Sequence, residues 1–182
     1  VKSSSETHNL RLRDFDYVRK DLTSENFNWG FENKLSEIRK DQEKLYLEKV
    51  GQRMQKRANP LREGVFLVDE HTTDKTILDT VTGVEKEFGI KAVQLSVHRD
   101  EGHYHPESKE WKPNYHAHVV FDWQDKNTGK SFKLKPQQLS ELQTYFAKSL
   151  GMERGKASTR KHKNSLEFKV EKLMEDHNTC LL

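Results

Sequence analysis

Apolar and polar residues alternate along AVQLSVHRDE (92–101) and NYHAHVVFDW (114–123), and this period of two predicts a strand in each. In the first, over 91–98, Val93, Leu95 and Val97 share one face while Gln94, Ser96 and His98 share the other. In the second, over 115–123, Tyr115, Ala117, Val119 and Phe121 suit a core, and His116 and His118 project from the opposite side. The compact apolar run GVFLVDE (64–70) reads as a buried strand. NTG (127–129) is a turn signal that lets SFKL return as a short strand.

Spacings nearer to 3.6 predict the helices. Leu35, Ile38, Leu45, Val50 and Met54 form a loose stripe, so one long charged helix is expected from about Glu32 to Arg57, ended by Asn59-Pro60. Ile77, Val81, Val84 and Phe88 make the apolar face of a second, with Thr73 or Asp74 as its cap and Gly89 as its stop. Pro136 suits the first turn of a third, with Leu139, Leu142, Phe146 and Leu150 on one face and Gly151 closing it. A last helix is expected from Ser158 or Lys161 to Asp176. Residues 1–30 read as polar and irregular, with a short strand at the start, and 103–113 as a polar loop. The order β-α-β-α-β-β-β-α-α implies an α+β fold, an antiparallel-rich sheet with helices on one face and the other left for a site.

That site is suggested by the histidines. If the two alternating strands pair antiparallel, the polar end of one meets the polar start of the next, and His98, His116 and His118 converge. Three imidazoles with coordination positions left open make a catalytic metal site rather than a closed structural one. A chance His-x-His would not be surprising among nine histidines. Asp100 and Glu101, directly after His98, argue against chance, because carboxylates commonly orient metal-bound imidazoles from behind.

Composition sets the bounds. A chain of 182 residues fits one domain, and 32% hydrophobic against 34% charged residues demands much solvated surface. A net charge of +3 is weak evidence for a nucleic-acid partner. The single cysteine, Cys180, excludes an intramolecular disulfide framework and a cysteine-based zinc site. No apolar run approaches the ~18 residues of a membrane span and no signal peptide is visible, which suits a reducing cytoplasm. The chain opens on Val1, and it is read as a single domain over 1–182, the N-terminal part of a longer protein.

Two further segments carry chemistry. GMERGKASTRKHK holds Arg154, Lys156, Arg160, Lys161 and Lys163 around a glycine turn and a helix start, where cations and backbone donors attract phosphate. Such a run is more often only a solvated face. Phe27, Trp29, Trp111 and Trp123 offer stacking surfaces for unpaired bases, though Trp123 reads better as core.

Taken in order, HNLR near the start, VHRDE, YHAHVVF, and MERGK with a downstream KHK resemble the motif series of the MobV (Pre/Mob) plasmid mobilisation relaxases, within the HUH endonuclease superfamily. The resemblance covers nearly the whole chain. The link between VHRDE and YHAH is longer than the short Pro-containing link of better-known members, so it assigns no role to His103, His105 or Trp111. It implies a five-stranded antiparallel sheet flanked by helices, and site- and strand-specific nicking at an origin of transfer that begins conjugative mobilisation in a bacterial cytoplasm. It also implies a divalent metal, Mn²⁺ or Mg²⁺, on the three histidines, and a DNA partner that is single-stranded or hairpin beside the nick, with room for accessory transfer proteins. The histidine of the HNxR motif matches the nucleophile, here His8, which takes the 5′ phosphate as a phosphoramidate. Arg11 belongs to the same catalytic motif, and Asn9 and Asp100 are expected behind the ligands. Glu101 is suited to take the proton from the second nitrogen of His8 or to fix its tautomer. Tyr17 is the rival nucleophile.

Other functions compete. A rolling-circle replication initiator or transposase of the same superfamily would present its tyrosine on a helix after the His-x-His strand, where only Tyr145 stands. A non-catalytic DNA-binding repressor would bind origin DNA with or without metal. A zinc hydrolase of small molecules would not need the basic segment at 154–163.

Overall fold

In the computed structural model, which describes Val1, residues 5–155, and Glu167, Val170 and Glu171, the histidine strands β3 (Lys91–His98) and β6 (His116–Asp122) are central neighbours. They pair antiparallel with His98 opposite His116 and Ser96 opposite His118, so the imidazoles share a face. β1 (Phe27–Trp29) flanks β3 and β2 (Leu61–Leu67) flanks β6, giving the order β1-β3-β6-β2. The sheet therefore has four strands, and β4 (Gly102–Tyr104) with β5 (Trp111–Pro113) forms a separate ribbon. The expected five-stranded sheet is corrected accordingly. SFKL makes only the isolated bridge Gln124–Ser131, and the segment read as a loop carries a hairpin.

Two helices cover one face. α3 (Asp74–Phe88) starts at Thr73, whose hydroxyl accepts the Thr76 N–H, and ends at Gly89 in the left-handed conformation. α4 (Pro136–Ser149) begins on its proline. Ile77, Val81 and Val84 of α3 pack with Leu95, Val97, Ala117, Val119 and Phe121 from the sheet, and Leu142, Tyr145 and Phe146 of α4 close the layer. Each fully buried aliphatic side chain contributes about 1.5–3 kcal/mol. An apolar groove of about 610 Å³ is lined by Phe66, Val119, Phe146 and Met152 among others.

The other face is divided. One end carries the histidines, and the other end, where Val120 and Leu61 emerge, is covered by Leu35 and Ile38 of α2 (Leu35–Val50). The long-helix expectation overran: α2 stops at Gly51, whose φ of 78° places it in the left-handed region that a glycine adopts without cost. β2 is an edge strand rather than a buried one, with Val65 and Leu67 exposed. Ser5–Asn9 forms a short helix, α1, and not the strand expected at the start. The last expected helix lies outside the described residues, apart from Glu167, Val170 and Glu171, which are helical. Among the described residues no helix is long and apolar enough to cross a membrane.

Candidate metal centre and nucleophile

Strand geometry delivers three imidazoles, and α1 delivers a fourth. A helix of five residues is unstable alone, so tethers must hold α1 in place. Glu6 accepts from the Leu35 N–H at the start of α2 (3.1 Å) and from the Gln94 amide of β3 (3.0 Å). Ser5 Oγ and Asn9 Nδ2 donate to Glu63 of β2 at 2.8 and 3.3 Å. His8 is thereby seated with its ring centroid 5.0 Å from those of both His98 and His118. One ligating atom from each of His8, His98, His116 and His118 lies within 4.8 Å of the others.

Each of the three strand histidines has one nitrogen engaged from behind. His98 Nε2 donates to the Asn9 carbonyl (3.2 Å), His116 Nδ1 to the Asn114 carbonyl (2.7 Å), and His118 Nδ1 to Glu63 (3.1 Å). The lone pairs left over are His98 Nδ1, His116 Nε2 and His118 Nε2, and the first two are 3.4 Å apart. Imidazoles with outward N–H bonds and inward lone pairs fit a divalent cation.

Glu101 stands among these rings, with Oε1 3.4 Å from both His98 Nδ1 and His8 Nε2 and Oε2 3.8 Å from His116 Nε2. Burial opposes its charge, but His98, His116 and Arg11 outweigh burial and hold its pKa at about 2. The Arg11 guanidinium bonds both oxygens of Asp100 (2.7 and 3.1 Å) and Glu101 Oε1 (2.7 Å). Burial lowers the pKa of His8 to about 4, Glu101 opposing and Arg11, His98 and His118 reinforcing, so this imidazole is neutral at neutral pH. The Tyr17 hydroxyl lies 3.4 Å from His8 Nδ1.

The expectation that Asp100 orients a ligand imidazole is corrected. Its carboxylate, fully buried, is bonded by Arg11, Thr23 (3.0 Å) and Asn26 (2.8 Å), and among the described residues no histidine bonds it. Glu63 does that work for His118. Burial opposes its ionisation, yet bonds from His118, Ser5 and Asn9 keep its pKa at about 2. It stands 55 positions before its histidine, and the only sequence signal was a lone carboxylate near the start of an apolar run. Asn9 acts on His98 through its backbone oxygen.

The remaining candidates lie apart from this cluster. Arg154 bonds Ser140, Gln143 and Thr144 of α4. Lys156, Arg160, Lys161 and Lys163 fall outside the described residues. Phe27, Trp29 and Trp123 belong to the core, whereas Trp111 lies on the hairpin. Tyr145 packs on α3 with its hydroxyl donated to the Thr80 carbonyl at 3.1 Å, which removes the helix tyrosine that an initiator or transposase would use.

Across solved structures, 92% of the chain superposes on 91% of the MobM relaxase domain (MOBV; Mob_Pre), Mn-bound and in complex with 22 nucleotides of plasmid pMV158 oriT DNA, with TM-score 0.66 and 18% identity. The fold is that of a MobV relaxase domain. A complex of the same domain carrying a 3′-thiophosphate gives TM-score 0.67 at 18% identity over 92% of this chain and 91% of that one. One with 23 nucleotides gives 0.66 at 18% identity over 93% and 91%. No protein-family model matches the sequence, and no curated protein does.

Proposed function

We propose that the chain is a DNA relaxase that nicks one strand at an origin of transfer and retains the 5′ phosphate on His8. The observation that carries this reading is a neutral fourth imidazole set against a three-histidine cluster, in a fold shared with an oriT-bound relaxase domain. His98, His116 and His118 would hold Mn²⁺ or Mg²⁺. Such an ion, when bound, draws charge from the scissile phosphate oxygens.

The rest falls to side chains. Glu101, ionised and facing His8 Nε2, draws the imidazole proton to that nitrogen and leaves the Nδ1 lone pair for attack. The Nδ1–phosphorus bond forms, the bond from phosphorus to the 3′ oxygen breaks, and the departing oxygen takes a proton from solvent water to become the 3′ hydroxyl. Glu101 meanwhile stabilises the positive charge that develops on the ring, whose Nε2 keeps its proton. Arg11 is a positioning residue, fixing Asp100 and Glu101 beneath the nucleophile. Beyond Gly155, the basic residues Lys156, Arg160, Lys161 and Lys163 supply phosphate contacts to the DNA.

The test is to incubate the protein with Mn²⁺ and supercoiled plasmid carrying its origin, then to resolve nicked DNA and the protein–DNA adduct. His8→Ala should bind the DNA without forming adduct, and Tyr17→Phe should still form it. A phosphorus–nitrogen bond is acid-labile, so the wild-type adduct should be lost on brief acid treatment. An acid-stable adduct mapped to Tyr17 would overturn the nucleophile, and metal-independent binding with no nick would overturn the enzyme.

A further inference from the structure

The hairpin β4–β5 enters neither hydrophobic cluster, yet it is fastened to Asp100 and Glu101. Gly102 follows Glu101 directly, and the Asn114 N–H returns to the Glu101 carbonyl at 2.8 Å as the chain leaves the hairpin. Val18 bridges Glu101 from the other side, and the Arg19 N–H donates to the Asp100 carbonyl at 2.8 Å.

On this base an aromatic pair is built. The Trp111 indole lies over Gly102 so closely that a Cβ there would come within 2.5 Å of the ring. The Arg19 guanidinium stands 5.5 Å from the same ring's centroid, and Tyr104 meets it edge to face at 5.1 Å and 63°. Trp111 is thus wedged on several sides, whereas Tyr104 is 57% exposed. Indole N–H groups usually find a partner when buried. Here Nε1 has none among the described residues.

We infer that Tyr104, propped by Trp111, is a stacking platform for one unpaired DNA base within about three nucleotides of the cleaved phosphate. This rests on the relaxase reading and specifies how the strand is held. Three residue steps of extended chain, roughly 10 Å, carry the strand from Glu101 to Tyr104. That is about three stacked nucleotides at ~3.4 Å each, fewer in an unstacked strand. The hairpin's Lys109 and Lys112 are matched by Glu107 and Glu110, so its contribution is through the ring and not through net charge.

The test measures binding of a fluorescein-labelled oligothymidylate by anisotropy across a salt series. Stacking on an aromatic residue is sequence-tolerant, so this probe is sufficient. Tyr104→Ala should weaken binding by about 5- to 150-fold with the salt slope unchanged, because no phosphate contact is removed. Tyr104→Phe should bind like wild type. Unchanged affinity in Tyr104→Ala, or equal loss in Tyr104→Phe, would overturn the platform and leave the relaxase reading standing. Wild-type protein that ignores the single strand would overturn both.

Discussion

Arg11 offers the sharpest test of how the site is held together. Its backbone φ is 53°, a left-handed conformation that costs a residue with a Cβ about 1–2 kcal/mol. The strain persists because the side chain closes a network. Arg11 bonds the His8 carbonyl (2.9 Å), both oxygens of Asp100 and one of Glu101, with 9% of the arginine side chain and none of the Asp100 side chain exposed. Arg11→Met keeps most of the stem and removes the fork, leaving Asp100 buried with only Thr23 and Asn26. Removing one partner of a buried ion pair costs about 3–5 kcal/mol. For a domain of this size each kcal/mol moves Tm by roughly 2–4 °C, so a fall of about 6–20 °C is expected. Denaturant unfolding followed by tryptophan fluorescence, in chelator so that metal binding adds nothing, gives the value directly. Adding Asp100→Asn should recover part of the loss, with a coupling of about 0.5–3 kcal/mol. A loss below about 1 kcal/mol in Arg11→Met, or zero coupling, would refute the claim that this network sets the site.

Alanine in place of His98, His116 or His118 should abolish most Mn²⁺ binding by calorimetry, as well as nicking, with the fold kept, and chelation of the wild-type protein should likewise stop nicking; wild-type metal affinity in His118→Ala would sink the ligand set. Glu63→Gln should weaken Mn²⁺ affinity about 10–100-fold, and an unchanged isotherm would show that the His118 tautomer is fixed some other way. Glu101→Gln should slow nicking more than it lowers stability, whereas Asp100→Asn should do the opposite. The reverse pattern in paired nicking and melting measurements would mean that their roles are exchanged.

The central strands and the two helices over them were legible because one physical signal, burial of a single face, set their pattern. Leu95, Val97, Ala117 and Val119 face α3 and α4, and that alternation placed His98, His116 and His118 together on the other side. Where something other than burial decides the structure, the sequence pattern misleads. The apolar stripe of α2 continues past Gly51 to Met54, and the left-handed backbone at Gly51 ends the helix. Val65 and Leu67 look like core but emerge on an edge strand. The strands of the hairpin are three residues each, too short for a period to be seen. Within the site, adjacency to His98 suggested Asp100 as its support. The support came instead from Asn9, Asn114 and Glu63, brought in by α1, the hairpin exit and β2.

Two of the three imidazoles take their orientation from main-chain oxygens, those of Asn9 and Asn114. A carbonyl cannot be mutated away, so the protonation pattern of His98 and His116 is inherited from the path of the chain and not from any one codon. Substitutions at positions 9 and 114 that keep the backbone in place should leave those rings aimed as before, and only His118 depends on a replaceable side chain. The outward bonds of His98 and His116 can therefore survive drift in sequence, and the one side chain that anchors a ligand imidazole from behind, Glu63, lies outside the histidine motifs altogether.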